Sequence, residues 1–338
     1  MNSCIKIFVV LACCLSNSKT TQFIIHPVVI NMDPQEQYIA FVAGPLDDNT
    51  HYPRRYESEV YVLDLSTRKT KQILEDKNVC SLCWRNNEGN SELWICIMEE
   101  LFGFWPKFKI SVLNFEKESS NIKSIKTVRN PDIISSFNWN PKGTILAGIP
   151  KQDFLPVLDL NYSVAISFSN GKKARKYSKN NAIGAITFWA TEDTFFAQDV
   201  DRTKIMEFCA TKDELTLRDV RYLTEKLWLF GAMKKQPLYR KDGDIYLGDD
   251  LLYDSDGNTG WIRSSDPYIA FIENSTVFVI DAEGKDIARK KVEKSIVIDI
   301  SASAKTVYLL FGYEKIQSWN FEKDGPIETL FDVKTITE

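Results

Sequence analysis

The sequence predicts an all-β chain, folded as a seven-bladed β-propeller of four-stranded antiparallel blades. Three observations carry this. One phrase, an apolar or aromatic residue followed by a short polar turn and an alternating apolar strand, recurs at the spacing of about 40 residues that marks propeller blades. A second phrase, made of strand, polar turn and strand, follows the copies of the first. Long stretches of helical periodicity are nearly absent.

The copies run in order along the chain. The first phrase appears as Met32–Val42 (MDPQEQYIAFV), then loosely from Trp84 (WRNNEG) with a return to register at Leu93–Cys96 (LWIC). It returns as Trp139–Ala147 (WNPKGTILA) and Trp189–Ala197 (WATEDTFFA), which align without a gap. Arg263–Ile272 (RSSDPYIAFI) and Ile300–Leu310 (ISASAKTVYLL) complete the set. The second phrase reads Val60–Lys69, Ile110–Glu118, Val164–Lys172, Val277–Lys285 and Ile316–Gly325. Period-2 alternation closed by Asn-Gly, Glu-Gly or Asp-Gly is a hairpin signature. Two phrases per repeat give four strands, the content of one blade. The repeats fall at 24–75, 76–128, 129–180, 181–225, 226–259, 260–294 and 295–335. The fifth lacks the first phrase and rests on Asp242–Leu247 and the turn at Asp256. One blade cannot bury both faces of its sheet, whereas stacking in a ring does so and protects the edges.

Composition agrees with a globular chain. Of 338 residues, 44% are hydrophobic, 26% charged and 12% aromatic, and the net charge is -4. The densest basic runs, Lys172 to Lys176 and Arg289 to Lys291, fall on expected hairpin strands and read as solvated outer faces. No basic footprint for nucleic acid is present.

The first 19 residues read as a signal peptide, with residues 20–338 forming one propeller domain. Lys6 precedes the apolar run Ile7–Leu15, and Ser16 to Ser18 follow. That run fits an h-region of about 7–15 residues and falls short of a membrane span. Val10 to Cys13 resembles a lipoprotein box, so a lipid on Cys13 is the one expected route to a membrane. The expected location is extracytoplasmic, or intracellular if the N-terminus is retained. Cys80 and Cys83 form a C-x-x-C with neither a second pair nor a nearby His, since the two His are His26 and His51. Regular alternation sends positions i and i+3 to opposite faces, which speaks against joint ligation. Export would allow a Cys83–Cys96 bridge. No metal or other cofactor is expected. Asp254 to Gly260 has calcium-loop spacing, but Thr259 stands where glycine is required, and a turn between strands explains it.

The repeat phrases resemble the WD40-like propellers of the TolB type, whose blades read W-S-P-D-G-K-x-I-A-F and then I-Y-V-x-D-x-x-T-G-K. The resemblance spans Phe23 to Val333. It implies the fold and leaves function open, because propellers host binding proteins, scaffolds and enzymes. Similar propellers precede the catalytic domain of prolyl-oligopeptidase-like proteases. No G-x-S-x-G occurs here, so that activity is not implied.

The connections between second and third strands are long in the first three repeats. They hold Tyr52, Arg54, Arg55 and Tyr56, then Phe102, Phe104 and Trp105, then Phe154. Aromatic and arginine side chains gathered on exposed loops suggest recognition of a protein or peptide partner. The same residues could instead pack on one another as a satellite core. The leading expectation is therefore a non-enzymatic binding or scaffold propeller. The alternatives are a propeller hydrolase or lyase acting on glycans or small molecules at the channel mouth, and an intracellular WD-like assembly subunit. The hydrolase alternative requires Asp, Glu or Arg side chains to converge at the channel.

Overall fold

The computed structural model describes residues 22–46, 58–75, 78–100, 107–116, 119–129, 133–150, 164–168, 175–177, 183–199, 201–211, 214–256 and 259–336. Their strands pair in sequence order into seven four-stranded antiparallel sheets, the blades of a β-propeller. Blade 1 holds β1 (Phe23–Met32), β2 (Tyr38–Pro45), β3 (Glu59–Asp64) and β4 (Lys69–Leu74). Blade 2 holds β5 (Val79–Asn87), β6 (Asn90–Glu100), β7 (Lys107–Glu116) and β8 (Ser119–Arg129). Blade 3 holds β9 (Ile133–Trp139), β10 (Ile145–Pro150), β11 (Val164–Phe168) and β12 (Arg175–Tyr177). Blade 4 holds β13 (Ile183–Trp189), β14 (Thr194–Asp199), β15 (Lys204–Ala210) and β16 (Leu215–Tyr222). Blade 5 holds β17 (Leu227–Met233), β18 (Gln236–Lys241), β19 (Asp244–Leu247) and β20 (Asp250–Tyr253). Blade 6 holds β21 (Gly260–Ser265), β22 (Tyr268–Glu273), β23 (Thr276–Asp281) and β24 (Asp286–Lys291). Blade 7 holds β25 (Ser295–Ser301), β26 (Thr306–Phe311), β27 (Lys315–Asn320) and β28 (Glu328–Asp332), followed by a 3-10 turn at Val333–Thr335.

The first strands of the blades touch one another in cyclic order, β1 to β5, β9, β13, β17, β21 and β25, and β25 touches β1. These strands therefore line the axis, and the fourth strands form the rim. The cores lie between blades. The second strand of a blade has both faces covered, and its alternation divides its side chains between two neighbours. On β2, Ile39, Phe41 and Ala43 join the core shared with blade 7, while Tyr38, Ala40 and Val42 join the core shared with blade 2. On β22, Ile269 and Phe271 face blade 5, and Ala270 faces blade 7. Each such buried Ile or Phe contributes about 1.5–3 kcal/mol relative to exposure. Rim strands read differently: Lys69, Lys71 and Gln72 on β4 are exposed, as are Ile287, Arg289 and Lys291 on β24.

The polar turns of the first phrase brace their own hairpins. Asp33 Oδ1 accepts the backbone N–H groups of Gln37 at 2.6 Å and Tyr38 at 2.7 Å. Asn140 Oδ1 accepts those of Thr144 at 2.8 Å and Ile145 at 3.1 Å. Successive turns also clasp. Ser91 of blade 2 donates to Asp33 at 2.6 Å, Arg85 Nε to the Gly143 carbonyl at 2.6 Å, and Asn140 to the Glu192 carbonyl at 2.6 Å. Gly143 is required at its place. Its φ is +66°, and a Cβ there would lie 2.0 Å from the Asn86 carbonyl oxygen.

Every first strand carries a bulge or register shift against its second strand. A bulge adds twist and re-aims the side chains beside it. In β5 it falls at Cys80, between the pairs Val79–Ile97 and Ser81–Cys96. Cys80 therefore packs toward the same inter-blade core as Cys83 and Cys96. This corrects the expectation that the C-x-x-C cysteines face opposite ways, because alternation fails at the bulge. Cys83 and Cys96 are both free thiols; Cys83 stands opposite Trp94, and Cys96 opposite Ser81. Burial pushes the Cys83 thiol up to about 12 and that of Cys96 well above its usual value. The stretch with calcium-loop spacing serves the blade 5–6 junction: buried Glu273 accepts from Tyr253 at 2.6 Å and Ser255 at 2.5 Å. Among the described residues, no cluster suited to a metal occurs.

Candidate functional site at the channel mouth

The residues expected to bind a partner, Tyr52, Arg54, Arg55, Tyr56, Phe102, Phe104, Trp105 and Phe154, lie outside the described residues, as do residues 1–19 with Cys13. The charged side chains brought together by the described strands are different ones. They gather where blades 6, 7 and 1 meet at the axis.

Asp299 and Arg263 come from neighbouring first strands, and each follows the bulge of its strand. In β25 the shift falls between Val297 and Asp299, and in β21 between Gly260 and Arg263. The bulges let Val297 and Ile300 stay in the blade 6–7 core and Ile298 in the blade 7–1 core, while Asp299 remains partly exposed. Arg263 donates from Nε to the Ile298 carbonyl at 3.0 Å and from one terminal nitrogen to the Ile262 carbonyl at 3.0 Å. It is thereby held against the backbone next to Asp299.

Burial pushes the Asp299 carboxyl up to about 6, chiefly by desolvation, with Glu36 adding repulsion. The Ile300 N–H, donating at 2.8 Å, and the charge of Arg263 pull the other way and do not win. Burial likewise lowers the Arg263 pKa, and the nearby Asp299 charge opposes that. A carboxyl with a pKa about 6 exchanges its proton near neutral pH, as a general acid or base must.

Glu36 and Asp33 extend the group from the turn between β1 and β2. The Glu36 carboxylate accepts from Ser301 at 2.5 Å and also from Ser303, tying blade 1 to the blade 7 turn. Asp33 is buried, which raises its pKa in spite of the four hydrogen bonds it accepts. Tyr308, the cross-strand partner of Asp299, feels all three carboxylates; burial first and their charges second push its hydroxyl up to about 12.

Sequence reasoning did not single out Asp299, Arg263 or Glu36. One signal was present. Arg263 occupies the phrase position that is Trp84, Trp139 and Trp189 in other repeats, and the residue just before the phrase is polar in Asn31, Asn138 and Asp299.

No family model matches the chain, and no curated protein matches it. Solved structures do. An acylaminoacyl peptidase from Pyrococcus horikoshii superposes with a TM-score of 0.60 at 14% identity, covering 94% of this chain and 54% of that one. A puromycin-hydrolyzing peptidase from Mycobacterium tuberculosis gives 0.56 at 9% identity, with 91% and 53% covered. A protein described as a 6-phosphogluconolactonase from Bacteroides fragilis, itself a provisional assignment, gives 0.51 at 10% identity, with 88% and 95% covered. The chain thus spans about half the length of the peptidases it matches. At these identities the likeness shows the fold alone. It nonetheless sets the chain beside hydrolases and corrects the expectation of a non-enzymatic binding or scaffold propeller. Aromatic and arginine-rich loops had suggested a partner because they suit recognition of many kinds; their composition does not separate a protein partner from a substrate. The β-propeller architecture is what the chain has in common with these enzymes.

Proposed function

We propose that the chain is a hydrolase propeller of the seven-bladed, WD40-like TolB type, working on a small molecule or short peptide that reaches the channel mouth. The observation that carries the reading is the Arg263–Asp299 pair: two charged side chains on adjacent first strands, each turned by a bulge, with the carboxyl poised near neutral pH. Asp299 accepts a proton from a water as its oxygen attacks the substrate's acyl carbon. The acyl–leaving-group bond then breaks, and the proton passes to the departing oxygen or nitrogen. The guanidinium of Arg263 steadies the negative charge on the acyl oxygen.

Purified protein incubated with a p-nitrophenyl ester, a lactone and an aminoacyl p-nitroanilide tests this. Turnover above background is expected with at least one, falling at least ~100-fold in Asp299→Asn, in line with the size of general acid–base effects. Background rates with all three, or an Asp299→Asn variant as fast as the parent, would overturn it.

The match to about half of two peptidases supports a second form of the reading. In it the propeller handles the substrate beside a separate hydrolytic module, and Asp299 and Arg263 hold the substrate without cleaving it. Substrate binding that is lost in Arg263→Gln, with no cleavage by the purified chain, is the outcome that selects this form. For location, we propose that residues 1–19 direct export and are removed; N-terminal sequencing of the mature protein tests it.

A further inference from the structure

Among the described residues, Arg68 meets Glu328, Arg85 meets Glu92, Arg221 meets Asp249 and Arg289 meets Asp286. Arg202 and Arg240 are not among them, and both neighbour Trp228, one over its ring and the other across the strand pair. Arg202 stands in the turn between β14 and β15, with its guanidinium over the Trp228 ring, 3.4 Å from the centroid. Its carbonyl accepts the Leu227 N–H at 2.8 Å, which fixes the turn against the start of β17. Arg240, on β18, is the cross-strand partner of Trp228, so their side chains leave the same face as neighbours. The Arg240 guanidinium lies 5.9 Å from the Phe230 ring and gives one N–H to the Thr259 carbonyl. All three of Arg202, Trp228 and Arg240 are partly buried.

A guanidinium has five donors in a planar fork suited to carboxylate and phosphate oxygens. Stacking on an indole occupies the face of Arg202 and leaves its edge donors unspent. Among the described residues, no carboxylate or carbonyl accepts from Arg202, and one carbonyl accepts from Arg240. Arg202 stacks on Trp228 and Arg240 is its cross-strand neighbour, so two cations partly withdrawn from water flank one side chain, where an anion would find donors not used by the protein. The chain as a whole carries net charge -4, so these two cations stand out against an acidic background.

We propose that Arg202 and Arg240, beside Trp228 on the first strand of blade 5, bind a small ligand bearing a carboxylate or a phosphate ester. The anion bridges the two guanidinium groups, and the apolar part of the ligand rests against Trp228 and Phe230. The site lies at blades 4 and 5, apart from the Arg263–Asp299 pair of blades 6 and 7, and does not depend on the hydrolase reading.

Titration of the full chain with inorganic phosphate, and separately with citrate, in dilute neutral buffer tests the proposal through intrinsic tryptophan fluorescence. A saturable change is expected with at least one anion, and it should vanish in Trp228→Phe. Arg202→Gln and Arg240→Gln should each weaken it at least 10-fold, and added salt should weaken it too. Thermal melting of each variant checks folding; where a glutamine variant melts early, Arg202→Lys or Arg240→Lys is read instead, with a smaller loss expected because the charge stays and the fork goes. Saturation by phosphate alone assigns a phosphate ester, and by citrate alone a carboxylate. No saturable change with either anion, or a change that survives in the double glutamine variant, overturns the site.

Discussion

The indole N–H of Trp84 donates to the Asn31 carbonyl of the preceding blade at 3.0 Å, and two blades further on Trp189 does the same to Asn138 at 2.9 Å. Trp139, at the same phrase position between them, has no acceptor for its indole nitrogen among the described residues and instead lies under Arg85, 4.8 Å from the ring centroid. One sequence mark thus serves two kinds of junction. Trp84→Phe and Trp189→Phe each leave a carbonyl unpaired between blades and should cost about 1–3 kcal/mol. Trp139→Phe removes an unpaired donor, so its cost in urea unfolding should be smaller than either.

Gly143 and Gly89 separate backbone strain from collision. Both have positive φ, +66° and +83°, but only Gly143 has an atom close to where a Cβ would stand. Gly89→Ala should cost about 1 kcal/mol, the usual penalty for an L-residue in this region. Gly143→Ala must also push the Asn86 carbonyl away and loosen the Arg85 clasp, and should cost at least ~2 kcal/mol. Equal melting temperatures for the two variants would contradict the close approach of blades 2 and 3 at this turn.

Asp299 makes stability depend on pH in a particular direction. Its native pKa of about 6 lies above the ordinary 3.8, so the folded chain holds that proton more tightly than the unfolded one. The resulting stabilisation is complete below the ordinary value and is lost as pH rises through about 6. Asp299→Asn should flatten the fall in denaturation midpoint over that window. An unchanged pH profile would show that the carboxyl is not held in this way.

The cysteines should react in order of access. Cys80 is partly exposed, while Cys83, Cys96 and Cys209 are buried. At pH 8 a thiol reagent should label Cys80 before the other three in the native protein, and Cys83 and Cys96 only on unfolding, since burial raises both of their pKa values. Mass spectrometry of partly labelled protein reads this. Early labelling of Cys96 would contradict its burial.

The blade pattern was legible because it rests on local chemistry. Met32–Val42 and Trp139–Ala147 each contain a side chain that caps its own turn, Asp33 and Asn140, followed by a strand whose alternation feeds two cores. Blade 5 was faint for a physical reason: its first strand, β17, leads into a tight turn of Lys234 and Lys235 alone, shorter than the turn that Asn140 caps between β9 and β10. The charged cluster was hidden by the bulges. Simple alternation does not foresee that Arg263 and Asp299 turn out of line with their apolar neighbours, and nothing local in the sequence marks where a first strand shifts register.

Those register shifts have a broader meaning. A ring of narrow first strands with perfect alternation would tie lumen chemistry to core packing, since any polar residue added on the inside would displace an apolar one from a neighbour's interior. With an irregularity in each strand, the two become separable. Residues facing the axis can then be exchanged one at a time, and the pore can acquire new reactivity without redesign of the walls that hold it.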